Sequence, residues 1–376
     1  MSWPSWTRDE LDKIRASGRW RHVRALDARG PQATLDGQTI VSFASNDYLG
    51  LTTHPAVIAA AHDALDRWGS GAGSARLIVG SRPIHHELEQ ALADWRHAER
   101  ALLFPTGYAA NLGVFSAFGG TDVTVVSDEL NHASIIDGCR LSRSRVVVYP
   151  HCDLDACERA LAGSRGRRIV VTDTVFSMDG DVAPVRELVQ LCAAYDALLI
   201  VDEAHAVLGP DLPTDLQGFE VLRIGTLSKT LGALGGFVAG SGALVDLIVN
   251  RSRPFIFTTA PTPADTAAAL AALAVYRSDE GNALRAKLRC HVGRVRPGHP
   301  SPIVPIMLGD EAAALAAASA LIERGLLVPA IRPPTVPAGT CRLRVALSAA
   351  HTDAMVDRLL EALATIGAPA DGAGDL

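Results

Sequence analysis

Short, continuously apolar runs alternate along this chain with longer stretches in which apolar residues recur every three or four positions. The apolar runs lie at 123–126, 146–149, 169–171, 198–201, 221–224 and 236–239. Each is too short for a helix and most are rich in β-branched residues, so each predicts a strand buried on both faces. Helical spacing follows at about 133–141, 154–161 and 185–195. Strand–helix alternation of this kind predicts an α/β fold with a mostly parallel central sheet covered on both sides. In such sheets ligands bind beyond the carboxyl ends of the strands. Asp202, Ser177 and Lys229 all fall just after predicted strands, which gathers them at that edge.

After about residue 275 the pattern changes. Strands are expected at 303–308, 326–331 and 342–347, with helices at 311–324 and 353–366. This reads as a smaller α+β domain. The alanine-rich stretches 267–274 and 312–320 carry leucines at intervals and read as helices. Residues 1–40 are mixed polar and basic, with Arg15, Arg19, Arg21 and Arg24 on a helix and its exit. We therefore expect an N-terminal segment (1–45), a large domain (46–275), a small C-terminal domain (276–367) and a flexible Gly/Ala/Pro/Asp-rich tail (368–376).

The chain has 376 residues, 48% hydrophobic and 20% charged, enough for more than one domain with a sizeable core. A net charge of −6 argues against a general nucleic-acid surface, so an anionic substrate would need a local cluster of Arg or Lys. No apolar stretch reaches the length of a membrane span. The six cysteines (Cys139, Cys152, Cys157, Cys192, Cys290 and Cys341) form no CxxC pair and no zinc-ligand spacing, so free thiols in a reducing cytoplasm are expected, and no metal. The opening Met1-Ser2-Trp3-Pro4 lacks the basic and apolar regions of a secretory leader.

Chemistry concentrates in two places. Lys229 sits in Gly225-Thr226-Leu227-Ser228-Lys229-Thr230-Leu231-Gly232, after an apolar run and between hydroxyls and glycines. Asp202 and His205 end another run in Val201-Asp202-Glu203-Ala204-His205. Singly these would be a surface lysine and a buried Asp–His pair. Together they fit pyridoxal 5'-phosphate (PLP), with Lys229 as the imine lysine. Asp202 would keep the ring nitrogen protonated, and His205 would donate to the phenolate oxygen. Glu203 should face away, because neighbours on an extended segment point to opposite sides. A phosphate cup is available at Thr106-Gly107-Tyr108-Ala109-Ala110-Asn111, a turn opening a helix, with Thr226 and Ser228 adding hydroxyls. His132, at a helix start in Asn131-His132-Ala133-Ser134, is placed to stack on the ring. Ser177, in Phe176-Ser177-Met178-Asp179-Gly180, is a further phenolate partner.

These pieces, with Ser45-Asn46-Asp47-Tyr48-Leu49-Gly50, Gly71-Ala72-Gly73-Ser74-Ala75-Arg76 and Arg253-Pro254-Phe255-Ile256-Phe257-Thr258-Thr259, run in one order from about residue 42 to 351. In them the chain resembles the α-oxoamine synthases, PLP-dependent transferases of fold type I, the aspartate-aminotransferase-like fold. The resemblance implies condensation of a small amino acid with an acyl thioester and loss of CO2. It implies that Lys229 exchanges its imine for the amino acid and then removes the α-proton. His132 stacks on the ring and polarises the acyl carbonyl, while His205 and Ser177 hold the phenolate. Arg344 takes the amino-acid carboxylate, with Arg342 as its alternative, and Asn46 and Ser74 line the substrate side. Thr258 and Thr259 reach the phosphate of a partner subunit, which implies a homodimer with the active site at the interface.

The segment Ile331-Arg332-Pro333-Pro334-Thr335-Val336-Pro337 narrows the resemblance to the biotin-pathway branch, whose acyl donor is a pimeloyl thioester, on CoA or on acyl-carrier protein, and whose amino acid is L-alanine. Arg21 or Arg19 would meet the carboxylate of the acyl tail. This segment argues against the glycine-using branches, glycine C-acetyltransferase and 5-aminolevulinate synthase. A non-catalytic scaffold subunit would not need the Lys229, Asp202 and His205 set. A nucleotide-binding reading fails because Gly69, Gly71 and Gly73 do not complete GxGxxG. Two departures stand out. The stretch 206–211 after His205 is short for the family, and Arg82 replaces a common histidine.

Overall fold

The computed structural model describes residues 1–212 and 219–367. The expected tail, 368–376, lies outside the described residues.

Seven strands form the central sheet, in the order Arg100–Phe104, Gly236–Gly240, Val221–Thr226, Ala197–Asp202, Arg167–Asp173, Val123–Asp128 and Arg145–Tyr149. The five from Val221–Thr226 onward run parallel, whereas Gly236–Gly240 is antiparallel to both of its neighbours. The apolar runs fold this way because successive side chains leave opposite faces of the sheet. Val125, Val171, Ile200 and Leu222 pack on one face with Phe115 and Ile135. Val126, Val170, Leu199 and Val201 pack on the other with Leu161 and Leu188. Burying each such side chain contributes roughly 1.5–3 kcal/mol. A one-residue slip in register would exchange the two faces.

Helices Ala133–Leu141, Leu154–Ala162 and Val185–Ala194 take their expected places. The sequence pattern did not single out the edge strand Arg100–Phe104 or the helices Pro55–Trp68 and Pro83–Arg96, whose prolines stand at helix starts.

Two expectations are corrected. Residues 326–331 form two two-residue strands, Leu326–Leu327 and Ala330–Ile331, which join different sheets. Pro329, with no N–H to donate, lies between them. The first 45 residues do not stand apart. After helix Trp3–Ala16, the strands Asp27–Arg29, Gln32–Leu35 and Gln38–Ser42 form an antiparallel sheet, and Gln38–Ser42 pairs in parallel with Leu326–Leu327. The N-terminal strands thus belong with the C-terminal domain, where Ile303–Gly309, Cys341–Ala346 and Ala330–Ile331 form a second sheet.

The largest core cluster crosses between domains. Tyr48, Leu51 and Phe237 share it with Ile303, Val345 and Leu359. At the same junction Gly180 has a φ of +71°, and a Cβ there would lie 1.9 Å from the Ile303 carbonyl oxygen. Only glycine permits that approach.

Candidate active site

Lys229 leaves the strand Val221–Thr226 on a turn that aims its amine into the protein, 2.9 Å from Nε2 of His205. Burial pushes the amine below its ordinary value, against the opposing pull of Asp202 and Asp173. A less basic amine is the form that can attack a carbonyl carbon. His205 is itself buried, and desolvation, aided by the charges of Lys229 and Arg344, holds it far below its usual range. Its ring is therefore neutral.

Asp202 ends its strand and is 6% exposed. It accepts hydrogen bonds from Asn111 Nδ2 at 2.7 Å and from the Ala204 N–H at 2.9 Å. No cation lies within ion-pair distance among the described residues. A buried carboxylate without a positive partner costs several kcal/mol, so this position calls for a cation, and a protonated pyridine nitrogen is one. Beside Asp202, in register on the next strand, lies Asp173. Burial and the neighbouring Asp202 charge push Asp173 well above the carboxylate range. Asp173 accepts the His132 N–H at 2.7 Å and so fixes the start of helix Ala133–Leu141. His132 caps that helix, its Nδ1 accepting from the Ser134 N–H, and its ring lies 6.4 Å from that of Tyr108.

The phosphate cup assembles from two segments. Helix Gly107–Phe118 is capped by Thr106, which accepts from the Ala109 N–H at 3.0 Å. The N–H groups of Gly107 and Tyr108 are in the first turn, where no helical carbonyl reaches them. A Cβ on Gly107 would lie 3.3 Å from Thr226 Cβ, so this helix start abuts the lysine turn. There Thr226 and Ser228 hydroxyls bond each other at 2.7 Å. Hydroxyls and free N–H groups suit an anion.

On the small-domain side, Arg344 donates through Nε to the Ser177 carbonyl at 2.5 Å and through Nη2 to Asn46 Oδ1 at 3.2 Å. It is Ser177's backbone, not its hydroxyl, that makes this contact. Arg342 is committed to an ion pair with Asp179, which leaves Arg344 as the arginine facing the lysine side. Ser74 lies apart, where its carbonyl accepts from the Ala260 N–H and Ala75 pairs with Thr259. Thr258 and Thr259 are thereby held in an edge next to exposed Leu77, Ile78, Val79 and Phe257. Arg19 and Arg21 are exposed around a cavity of about 410 Å³ lined by Leu11, Ile14, Trp20 and Pro334. Arg332 donates to the Gly18 carbonyl at 3.0 Å, which ties the proline-rich segment to that cavity.

The departures also find places. Arg82 braces the preceding loop by donating to the carbonyls of Val79, Ser81 and Ala72. In the short stretch 206–211, Val207 joins the core.

Sequence reasoning missed Tyr48, Asn111 and Asp173 as site residues. Asn111 follows Gly107 by one helical turn, and Asp173 ends its strand as Asp202 does, so both carried a signal. Tyr48 carried none. One other cluster, Asp128–His151–Asp181 with Cys152, is structural. Its imidazole bridges the two acids at 3.0 and 2.6 Å, and the thiol lies 3.8 and 3.6 Å from the two ring nitrogens.

Comparison with known proteins adds the following. The family model of class I and II aminotransferases matches residues 38–363. The 8-amino-7-oxononanoate synthase of Anaeromyxobacter dehalogenans (strain 2CP-1 / ATCC BAA-258) is 50% identical over 378 residues, covering 96% of this chain and 95% of that protein. Among solved structures, SPT with PLP as internal aldimine superposes with a TM-score of 0.89 at 30% identity, covering 98% of this chain and 100% of that one. The 8-amino-7-oxononanoate synthase from Francisella tularensis gives a TM-score of 0.73 at 25% identity, over 87% of this chain and 96% of that one.

Proposed function

The chain belongs to the class I and II aminotransferase family and, within it, to the 8-amino-7-oxononanoate synthases, and we propose that it joins L-alanine to a pimeloyl thioester in biotin biosynthesis. Its cofactor is PLP. A C–C bond forms between the alanine Cα and the acyl carbon, the thioester C–S bond breaks to release the thiol, and the alanine carboxylate leaves as CO2. The observation that carries the reading is the buried Lys229 amine flanked by His205, with Asp202 held as a buried carboxylate lacking a cation.

Bound PLP supplies an electron sink for the electrons released at the alanine Cα. The residues of the chain do the rest. Gly107, Tyr108, Thr226 and Ser228 hold the phosphate. Asp202 holds the protonated ring nitrogen, and His205 and Ser177 serve the phenolate. Arg344 clamps the alanine carboxylate and so orients the bond to be broken, with Asn46 beside it on the substrate side. Lys229, whose burial favours the neutral amine, removes the α-proton. His132, held by Asp173, stacks on the ring and polarises the acyl carbonyl. Arg21 or Arg19 meets the far carboxylate of the acyl chain, which arrives on CoA or on acyl-carrier protein.

The reading includes a homodimer in which Thr258 and Thr259 reach the partner's phosphate. The exposed Leu77, Ile78, Val79 and Phe257 beside them support it, because contiguous apolar surface marks interaction sites. It also includes a cytoplasmic location, in keeping with six free cysteines.

The test is Lys229→Ala. The variant is expected to keep its fold by circular dichroism and to release no thiol from pimeloyl-CoA with L-alanine. Near-normal thiol release would remove Lys229 from the chemistry.

A further inference from the structure

We propose that His151 is a positioning residue for Arg344, because it pins to the central sheet the loop whose backbone holds that arginine. The proposal rests on the reading of Arg344 as the clamp for the amino-acid carboxylate, while the pinning itself stands on geometry alone. The loop, 176–181, follows the strand Arg167–Asp173 and closes on itself. The Phe176 N–H donates to the Asp181 carbonyl at 3.0 Å, the Gly180 N–H donates to the Phe176 carbonyl at 2.8 Å, and Val175 pairs with Val182 at the base. These bonds fix the shape of the loop, not its place against the sheet. On its small-domain face the loop meets both arginines of the strand Cys341–Ala346. Asp179 pairs with Arg342, and the Ser177 carbonyl accepts from Arg344 Nε at 2.5 Å. A shift of the loop would carry that carbonyl with it.

His151 holds the loop from the other side. Its Nε2 is 2.6 Å from Asp181 Oδ2 and its Nδ1 is 3.0 Å from Asp128 Oδ1. Asp128 is the last residue of the strand Val123–Asp128, so the imidazole joins loop to sheet. The His151 ring also meets the buried Phe176 ring at right angles, with centroids 4.3 Å apart. Asp128 is itself fixed, since its two oxygens accept the N–H groups of Leu130 and Cys152, each at 2.9 Å. With a carboxylate at each ring nitrogen, a neutral imidazole serves one acid with its single N–H, whereas the cation donates to both. Burial opposes the charge, but the hydrogen bonds to Asp128 and Asp181 outweigh it and push the imidazole up to about 12. Among the described residues, the titratable groups facing the ring are Asp128, Asp181 and Cys152, and His299 faces Asp181 from the small domain. The cluster is structural, and what it fixes is the carbonyl on which Arg344 rests.

The Asp181 side chain is 42% exposed, so Asp181→Ala opens the bridge without opening the core. Asp181→Asn keeps an acceptor for the imidazole, and His151→Gln opens the bridge from the other end. The first readout is amide hydrogen exchange over 175–182 in the PLP-loaded protein without substrate. Exchange there is expected to quicken in Asp181→Ala and His151→Gln and to stay close to the wild type in Asp181→Asn. The second is steady-state thiol release, in which KM for L-alanine is expected to rise about tenfold in the two opened variants while KM for pimeloyl-CoA stays within about twofold. The third is the ¹⁵N spectrum of the His151 ring at pH 7, expected to show both nitrogens protonated. Unchanged exchange in both opened variants overturns the proposal, as does an equal rise in the two KM values or a neutral His151 ring. Because exchange is read without substrate, it judges the bridge whether or not the synthase reading holds. A wild type that turns over no L-alanine overturns that reading and leaves exchange to decide the bridge. Melting curves within a few degrees of the wild type keep a folding defect out of the comparison.

Discussion

At the level of single residues, the site is a set of buried groups whose charges are arranged in advance. Arg344 and Arg342 are two positions apart on one strand, yet Arg344 has neutral acceptors alone, the Ser177 carbonyl and Asn46 Oδ1, while Arg342, besides the Thr340 carbonyl, is neutralised by Asp179. Arg344→Lys keeps the charge but loses the planar fork that matches a carboxylate. It is expected to lower kcat/KM for L-alanine by about a hundredfold, measured by thiol release. Arg342→Lys should stay within about threefold of the wild type in the same assay. Lys229, Asp202 and His205 were readable as a group because residue type and spacing alone restrict what they can do. Tyr48 was not, since 157 residues separate it from His205, and its hydroxyl acquires meaning only when the two domains pack.

The elements position these residues through their ends. Asp202, Asp173 and Asp128 are each the last residue of a parallel strand, and His132 and Thr106 are each a helix cap. The strands were legible because burial on both faces demands continuous apolar runs. The edge strand Arg100–Phe104 was less so, being opened by the charged Arg100 directly after Glu99. Residues 326–331 misled because the apolar pattern is continuous through Pro329 while the backbone is not. Glu203 shows strand alternation at work. Next to Asp202, it turns to the opposite side and binds Arg223 at 2.6 and 3.0 Å, with Arg96 at 3.4 Å. Burial alone would raise its carboxyl, but Arg96 and Arg223 reverse this and hold it below its ordinary value. The stabilisation is therefore full above the unfolded value of 4.5 and is lost as pH falls through the lower folded value. Glu203→Gln leaves two buried arginines uncompensated and is expected to cost about 3 kcal/mol. Urea unfolding at pH 7 and near pH 3 would show that loss shrinking in acid.

For the whole molecule, one core cluster joins the elements that carry Lys229 and Arg344, with Leu227 and Leu231 packed in it together with Leu343 and Val345. The Thr258–Thr259 edge and its apolar neighbours carry the dimer reading. Ile78→Asp is expected to shift the sedimenting species from dimer to monomer and to abolish activity. A monomeric, active wild type would refute shared sites. Substrate identity was legible only coarsely, because Arg19, Arg21 and the proline-rich segment meet through tertiary contacts such as Arg332 to Gly18. The most direct measurement incubates the PLP-loaded protein with L-alanine and pimeloyl-CoA and identifies products by mass spectrometry. One 8-amino-7-oxononanoate and one CO2 for each thiol released is the expected result. No product with L-alanine, or product with glycine alone, would contradict the account.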